Sequence, residues 1–367
     1  MNILVQLNHP AHFHYYKNSI QKWKDNGHEV FVLIKTKDVL EKLLQEANIP
    51  YYNINKKVHR NSKIGVFLDM VIRDCRVFSF CLKNKIDILT GSSVEVAHVG
   101  WLLRRPAVCT GEDDAAVIPA YVKWVSPFLK IKLSPVSCNS GKLEKKTIKY
   151  ASYHELAYLH PNHFHADKSV VERYFPADSP YFILRFASLK AHHDTGIKGI
   201  NAEIAQKLID ILKPHGRIYI TSERQLEPQF EQYRIKINPL HIHHVMAYAS
   251  LYIGDSQTMA AEAAVLGVPF IRYNDFVGRI GYLNELENDY HLGFGIKASE
   301  KGSAEKMYKT LTDLLAMPNL KEEWQKRRQH MLSEKIDYAK FLTWFVENYP
   351  ESREIMRKNP EYQNKFK

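Results

Sequence analysis

Short apolar runs alternate with amphipathic segments along most of this chain of 367 residues. Apolar runs at residues 2–7 and 29–34, for example, each precede a segment with helical periodicity, and Gly27 suits the end of the first predicted helix. Strands that alternate with helices are typical of a parallel sheet with helices on both faces. The first half is therefore predicted to be an α/β domain with a doubly wound sheet.

The alternation is interrupted once and then resumes. Residues 149–180 are rich in His, Tyr, Pro and Asp, and we expect the connection between two domains at 165–180. Further strands and helices follow, and the chain from residue 282 onward is predicted to be helical. Because 367 residues exceed one ordinary core, we expect domains at 1–165 and 180–340 and a helical tail at 341–367. We expect the two doubly wound domains to face each other across a cleft. In such folds ligands bind in the cleft, at the carboxyl ends of the strands.

The charge of the chain favours anionic partners. It has 51 Lys and Arg against 40 Asp and Glu, a formal net charge of +11. Such an excess attracts nucleotides, nucleic acid or the anionic face of a membrane. The four cysteines lack the spacing of a zinc site, no signal-peptide pattern is present, and no apolar run is long enough to span a bilayer. We therefore expect a cytoplasmic protein, and peripheral contact with an anionic membrane stays open.

Three histidines follow the first predicted strand, in the stretch NHPAHFH: His9, His12 and His14. At a strand end, a neutral imidazole can take a proton from a sugar or alcohol hydroxyl. His12 and His14 are therefore candidate catalytic residues, with helix capping and packing as the alternative. Zinc requires three or four ligands and no further ligand set is evident, so no metal or other cofactor is expected.

Two further strand ends carry polar residues. Gly91-Ser92-Ser93 offers backbone N–H and hydroxyl donors, and Glu112 begins a run of three acids after the next strand. Such acids hold sugar hydroxyls, act as a base or bind a cation; alternatively they occupy the first turn of a helix, where its dipole favours them. Glu112 is a candidate catalytic residue.

The loop LRFASLKAHHDTGIKGI, after the first strand of the second half, is crowded with polar residues. Cations and glycine N–H donors at a helix start suit a phosphate or a carboxylated sugar, although the spacing is not a Walker or dinucleotide motif. A solvated loop is the alternative. We expect His193 to be catalytic, and the expected ligand-binding residues of this loop are Arg185, Ser188, His192 and Asp194.

The stretch GDSQTMAAEAAVLGVP joins a predicted strand to a predicted helix. Ser256, Gln257 and Thr258 fall at the helix N-terminus, where unpaired N–H groups and the dipole attract anions. Glu262 lies one turn further along and suits the hydroxyls of a ribose. Alanines on either side of Glu262 keep the helix slim, so that a ligand can approach. The alternative is a capped, buried helix with one exposed acid.

These motifs carry a resemblance to a known superfamily. The segment HIHHVMAYASLYIGDSQTMAAEAAVLGVPFIR resembles the donor-nucleotide segment of glycosyltransferase-B enzymes, of the MurG type, and of non-hydrolysing UDP-N-acetylglucosamine 2-epimerases. Most of residues 1–345 resembles a prokaryotic family of unknown function in that superfamily, through NHPAHFH, YHELAYLHPNHF, LRFASLKAHHD and GDSQTMAAEAAVLGVP. The four motifs together are specific.

The resemblance implies two Rossmann-like domains of the glycosyltransferase-B type, with a nucleotide-sugar donor on the second and an acceptor on the first. It assigns the diphosphate to Ser256–Thr258, the ribose to Glu262, and the base to the backbone around Ile242. It places His12 or His14 where such transferases keep a histidine. It also implies that the C-terminal tail packs back on the first domain.

The chain departs from its relatives at three places. Ser92 stands where the epimerases have an aspartate, and AYVKWVSPF lacks their second glutamate. Ile280 and Gly281 stand where MurG-type transferases have paired glutamines that recognise the donor sugar. Because epimerisation needs acid and base groups at the sugar, the first two departures count against an epimerase. The third, in the MurG-type glutamine positions, means that the resemblance does not identify the donor sugar.

Three hypotheses follow. The leading one is a glycosyltransferase, inverting and metal-independent, that transfers a sugar from a UDP-sugar or similar donor to a polysaccharide or glycolipid acceptor. The alternative is a UDP-N-acetylhexosamine 2-epimerase, hydrolysing or not. The third is a non-catalytic binder of sugar nucleotides. No nucleic-acid partner is expected, because the chain has no RNP-like or helix-turn-helix pattern.

Overall fold

A computed structural model describes residues 1–35, 39–55, 63–176, 179–187 and 199–367. The chain forms two compact units, one of residues 1–158 with 335–367 and one of residues 159–334. Each unit has its own sheet and is described by itself. The domain borders inferred from sequence at residues 165 and 180 stay a prediction.

Every named strand pairs in parallel with its neighbours. The first unit has a seven-stranded sheet in the order β3-β2-β1-β4-β5-β6-β7, and the second a five-stranded sheet in the order β12-β11-β10-β8-β9. The strands are β1 (Asn2–Leu7), β2 (Glu29–Lys35), β3 (Tyr52–Asn55), β4 (Ile88–Gly91), β5 (Ala107–Thr110), β6 (Ile131–Pro135), β7 (Thr147–Tyr150), β8 (Tyr181–Phe186), β9 (Arg217–Ser222), β10 (Leu251–Gly254), β11 (Phe270–Tyr273) and β12 (Gly293–Ile296).

Helices connect the strands, as parallel pairing requires. They are α1 (Pro10–Asp25), α2 (Leu40–Glu46), α3 (Lys63–Lys83), α4 (Val94–Leu102), α5 (Pro119–Val125), α6 (Leu156–Leu159), α7 (Lys168–Glu172), α8 (Ala202–Leu212), α9 (Ile242–Tyr248), α10 (Gln257–Leu266), α11 (Gly281–Asn288), α12 (Ser303–Leu315), α13 (Leu320–Glu334), α14 (Tyr338–Glu347) and α15 (Glu351–Lys358). No described helix is long and apolar enough to cross a membrane.

The central strands of the first sheet are buried on both faces, which explains their unbroken apolar sequence. In β1, Ile3, Leu4 and Val5 are fully buried. Where β4 ends, Gly91 lies so close to β1 that an added Cβ would sit 2.6 Å from the carbonyl oxygen of Gln6. Gly91 therefore permits the two strand ends to approach, and this position is where the strand order reverses.

The C-terminal helix α14 packs on α1 within the first unit. The hydroxyls of Tyr15 and Tyr338 are 2.5 Å apart, and the indole N–H of Trp23 donates to the backbone oxygen of Thr343 at 3.3 Å. Both α1 side chains are buried. Residues 335–367 thus complete the first unit after the chain has built the second.

The structure differs from the sequence-based prediction at several elements. α1 begins at Pro10, two residues before the start predicted at His12, because His9 caps it and proline suits a first helical position. No strand was predicted at β7, and β12 lies in the C-terminal stretch, where only helices were predicted. The sequences of these two strands, TIKY and GFGI, contain no run of apolar residues.

Candidate functional site

Neutral hydroxyls meet at the carboxyl ends of β4 and β5, beside the point where the strand order reverses. The Tyr16 hydroxyl lies 2.9 Å from the Thr90 hydroxyl and 3.1 Å from that of Thr110, and Ser92 Oγ lies 2.9 Å from Thr110 Oγ1. Ligands of open α/β sheets bind at such reversal points. The loops after β1, β4 and β5 therefore form the candidate site of the first unit.

The three histidines after β1 lie at the start of α1. His9 caps the helix, with its Nδ1 accepting from the Ala11 N–H at 3.2 Å. His12 Nδ1 accepts from the Asn8 N–H at 3.2 Å. A neutral imidazole that accepts at Nδ1 carries its hydrogen on Nε2, so this geometry suits a donor more than a base. His14 is buried, with its ring centroid 5.3 Å from that of Tyr158.

Glu112, which follows β5, pairs with His154, which follows β7. His154 Nδ1 lies 3.3 Å from Glu112 Oε1, and the His154 backbone N–H donates to Glu112 Oε2 at 3.1 Å. Both side chains are mostly buried but retain 13–14% exposure. The pair therefore lies at the carboxyl edge of the sheet, where a substrate can reach it.

The surroundings of the Glu112–His154 pair disfavour charge. Burial and the nearby charge of Asp113 raise the pKa of Glu112 well above its ordinary value. Burial lowers the pKa of His154 to about 3, and its ring lies against Tyr15 and Tyr338, with centroids 4.1 and 5.9 Å away. The pair therefore favours a carboxylic acid beside a neutral imidazole, and a carboxyl group with a raised pKa is suited to proton transfer.

Glu95, one turn into α4, is a different kind of acid. Its Oε1 lies 2.5 Å from Arg73 Nε and 3.2 Å from Lys35 Nζ. Burial alone would raise its pKa, but the charges of Lys35 and Arg73 lower the pKa of Glu95 to about 2. Glu95 is fully buried and stays ionised, so we interpret it as a structural ion pair rather than a proton carrier.

In the second unit, α10 begins as the sequence predicts. Ser256 Oγ caps it by accepting from the Met259 N–H at 3.4 Å. Ser256, Gln257 and Thr258 remain partly exposed, so that a ligand can reach the helix start. The flanking alanines are fully buried: Ala260, Ala261, Ala263 and Ala264. They bring α10 close to its protein neighbours, and the approach of a ligand to this helix stays a prediction.

Glu262 is buried and bonded to α9. Its Oε1 lies 2.9 Å from His243 Nε2. An ionised carboxylate has about four acceptor positions, so a bond from His243 is compatible with ribose hydroxyls binding as well. Ile242, at the start of α9, donates its backbone N–H to the Pro239 oxygen, so contact with a base there would involve other atoms of this turn.

Asp255 and Arg185 lie at the ends of β10 and β8, the reversal point of the second sheet. The Asp255 carboxylate accepts from the N–H groups of Ala187 at 2.6 Å and Ile200 at 3.3 Å. Arg185 Nη1 donates to Thr221 Oγ1 at 2.8 Å, and Nη2 pairs with Glu223. Ser188, His192, His193 and Asp194 lie outside the described residues.

The Asp255 carboxyl predicts a pH dependence of stability. Burial raises the pKa of Asp255 to about 6, against about 3.9 in an unfolded chain. Between pH 7 and pH 5 the folded state therefore takes up a proton that the unfolded state does not, which stabilises the fold as pH falls. Relative to Asp255→Asn, the wild type should gain about 1 kcal/mol over this interval. Urea unfolding of both proteins at each pH measures it, and an equal change in both would contradict it.

Sequence reasoning missed the partners of its candidate residues. His154 was noted only as part of a motif, and its position directly after a strand became visible with β7. His243, Asp255 and Glu223 were likewise not selected. Their positions in the sequence could have identified them. His154, Asp255 and Glu223 follow strands, and His243 lies on α9, the helix that packs against α10. Among the described residues, no group of three or more His, Cys, Asp or Glu is placed to hold a metal ion.

The fold has known relatives among solved structures. UDP-GlcNAc 2-epimerase from Neisseria meningitidis, bound to UDP-GlcNAc, matches with a TM-score of 0.61 and 13% identity, over 91% of this chain and 100% of that chain. Spinosyn rhamnosyltransferase SpnG, complexed with spinosyn aglycone, matches with 0.60 and 14%, over 95% and 100%. UDP-GlcNAc 2-epimerase from Methanocaldococcus jannaschii matches with 0.59 and 13%, over 86% and 93%. The expected class, two Rossmann-like domains of the glycosyltransferase-B type, is confirmed.

Comparison of sequences identifies the family. No curated protein matches the chain. The sequence model described as "Protein of unknown function (DUF354)" matches residues 1–278, which is most of the chain. The resemblance to a family of unknown function within the transferase and epimerase superfamily is thereby confirmed. The chain belongs to the DUF354 family.

Proposed function

We propose that this protein is a glycosyltransferase that uses a nucleotide-sugar donor, with a UDP-sugar favoured, and a saccharide or lipid-linked acceptor. The second unit binds the donor and the first activates the acceptor. The fold is shared by transferases and epimerases at 11–14% identity, so the choice between activities rests on the residues of this chain.

The Glu112–His154 pair carries the proposal. Glycosyl transfer needs a group that removes the proton from the acceptor hydroxyl as the new bond forms. A general base works best with a pKa near the operating pH, and burial raises the pKa of Glu112 in that direction. The acceptor proton passes to the Glu112 carboxylate, and the neutral imidazole of His154, with Nδ1 3.3 Å away, holds that carboxylate in place. His12 and His14 remain candidate catalytic residues beside the same strand ends.

The donor assignment rests on α10. The first residues of this helix are partly exposed, and N–H groups at a helix N-terminus attract a diphosphate and stabilise it as the leaving group when charge develops there. We assign the diphosphate to Ser256, Gln257 and Thr258 and the ribose to Glu262. Arg185 pairs with Glu223, so it acts on a donor only after exchanging that partner. Ser188, His192, Asp194 and catalytic His193 remain proposals from sequence.

A UDP-N-acetylhexosamine 2-epimerase is the second candidate. The observation that favours it is again Glu112, because a carboxylate with a raised pKa also suits abstraction of a proton from carbon. The loop after β4 argues against it: Ser92 is a neutral hydroxyl bonded to Thr110, and Glu95 is held ionised by Arg73 and Lys35. Neither residue supplies a second proton carrier.

Two measurements test the proposed function. A thermal-shift screen of UDP-, GDP-, CMP- and dTDP-sugars should raise the Tm with at least one nucleotide, because a ligand of the folded state stabilises it. Incubation with UDP-N-acetylglucosamine and no acceptor should leave the sugar unepimerised. A 2-epimer or free N-acetylmannosamine would replace the transferase with the epimerase, and no Tm shift with any nucleotide would remove the donor site.

Glu262→Gln should weaken nucleotide binding about ten-fold, because hydrogen bonds to a charged group contribute roughly 1.5–3 kcal/mol. Glutamine keeps the size of the side chain and one acceptor oxygen, so the Tm without nucleotide should change little. Calorimetric titration with the nucleotide that gives the largest Tm shift measures the affinity. Glu285→Gln, on α11 of the same unit, is a control. If Glu262→Gln and the control bind equally well, Glu262 has no role at the ribose.

A further inference from the structure

Helix α3 of the first unit carries apolar residues both on its buried side and on its exposed surface. Met70, Val77 and Cys81 are buried on one side. A second side is exposed: five of its apolar residues, from Ile64 to Ile72, recur at intervals of three, four and seven, and Leu82 lies on the same side ten residues further along. Together these residues form a stripe along the helix: Ile64, Phe67, Leu68, Val71, Ile72 and Leu82. Ile64 is 75% exposed and Leu82 57%, so a large apolar surface lies in water.

Neighbouring helices extend the stripe. The Phe67 ring centroid lies 5.8 Å from that of Trp124 on α5, and α4, which packs against both α3 and α5, ends in the exposed pair Trp101 and Leu102. We call these residues together the α3 face: Ile64, Phe67, Leu68, Val71, Ile72, Leu82, Trp101, Leu102 and Trp124. An apolar surface of this extent on three helices marks an interaction site.

Positive charge is concentrated in the same unit. Residues 1–158 and 335–367 contain 30 Lys and Arg against 19 Asp and Glu, so this unit carries the whole net charge of +11. Residues 159–334 contain 21 of each and are neutral overall. Exposed cations border the α3 face: Arg104 and Arg105 follow α4, and Lys123 Nζ lies 5.9 Å from the Trp124 ring centroid.

We propose that the α3 face docks on the surface of an anionic lipid bilayer. Exposed aliphatic side chains with tryptophans and flanking Lys and Arg are the composition that binds the bilayer interface, where apolar groups enter the headgroup region and cations meet anionic lipids. A second copy of the chain is a poorer partner, because it would bring two units of charge +11 together. The inference goes beyond the proposed function and requires no transfer chemistry.

Vesicle co-sedimentation without nucleotide tests the inference. The wild type should bind vesicles that contain phosphatidylglycerol, bind pure phosphatidylcholine vesicles far less, and lose binding as salt rises. Ile64→Ser combined with Leu68→Ser should weaken binding ten-fold or more, since each side chain removes apolar area from the lipid contact. Phe294→Ser is the matched control, because Phe294 is similarly exposed but lies in the neutral unit, and it should bind like the wild type.

A charge variant separates electrostatic from apolar contributions. Arg104→Glu with Lys123→Glu should weaken binding to the anionic vesicles, whereas Lys309→Glu, at an exposed position in the second unit, should not. Circular dichroism and nucleotide-induced Tm shifts verify that each variant is folded. Equal binding to both vesicle types, or wild-type binding by the Ile64/Leu68 variant, would overturn the inference. So would a dimer in solution that this variant dissociates, because the α3 face would then belong to a second copy. Neither result depends on whether the protein transfers sugars.

Discussion

Glu112→Gln should lower kcat by a factor of roughly 10²–10⁴, the usual range for loss of a general base. The amide has the shape of the carboxyl group but cannot take up the acceptor proton. Because we assign donor binding to the second unit, the KM for the donor should remain near the wild-type value. Steady-state turnover of the nucleotide sugar selected by the thermal-shift screen measures both constants.

A companion variant and a control make this prediction specific. His154→Gln retains Glu112 but removes the imidazole 3.3 Å from it, so the acid limb of the pH–rate profile should move while some activity remains. Glu361→Gln, at an exposed position of the same unit, should leave kcat and its pH profile unchanged. If Glu112→Gln retains full activity, the base lies elsewhere, and His12 and His14 become the groups to test.

Glu95→Gln should destabilise the protein by about 3 kcal/mol, because it leaves two partly buried cations, Arg73 and Lys35, without their counter-charge. The carboxylate lies 2.5 Å from Arg73 Nε and 3.2 Å from Lys35 Nζ, and its pKa of about 2 is far below the value in an unfolded chain. A depressed pKa contributes stability that is complete above about pH 4.5 and is lost as pH falls towards 2. The variant should therefore lose the acid-sensitive part of the unfolding free energy, as measured by urea titration at about pH 5 and about pH 2.5, on either side of this window.

An exposed ion pair gives the contrast. Glu354, which is 56% exposed, pairs with Arg353 in the same unit. Glu354→Gln should change the unfolding free energy by less than about 1 kcal/mol, because water screens such pairs. If the two substitutions lower the unfolding free energy equally, burial does not increase the contribution of the Glu95 ion pairs to stability. The interpretation of Glu95 as part of a structural ion pair would then be wrong.

The alternation of strands and helices was predictable from sequence because it depends on local periodicity. β1, β8 and β10 are long or apolar enough to stand out, and α10 begins where its capping serine predicts. β7 and β12 were missed because their sequences, TIKY and GFGI, contain no run of apolar residues. Pairing in the sheet, set by distant segments, is what stabilises them.

The candidate site was predictable one residue at a time but not in pairs. Glu112 was selected for its place after a strand, yet its partner His154 lies 42 residues further along the chain. Likewise, the bond from His243 to Glu262 depends on the packing of α9 against α10. The raised pKa of Glu112 is caused mainly by its burial. Burial depends on the folded structure, so it could not be inferred from the sequence alone.

The return of residues 335–367 to the first unit has a consequence for synthesis on the ribosome. The second unit is contiguous and can finish folding once residue 334 has emerged. The first unit begins earlier but must wait for α14, which buries Tyr15 and Trp23. At about 5–20 residues per second, making the intervening segment takes roughly 10–35 s. Throughout that interval the nascent first unit presents an uncovered aromatic surface, so a chaperone that binds apolar segments at the ribosome should be most needed before the last helices appear.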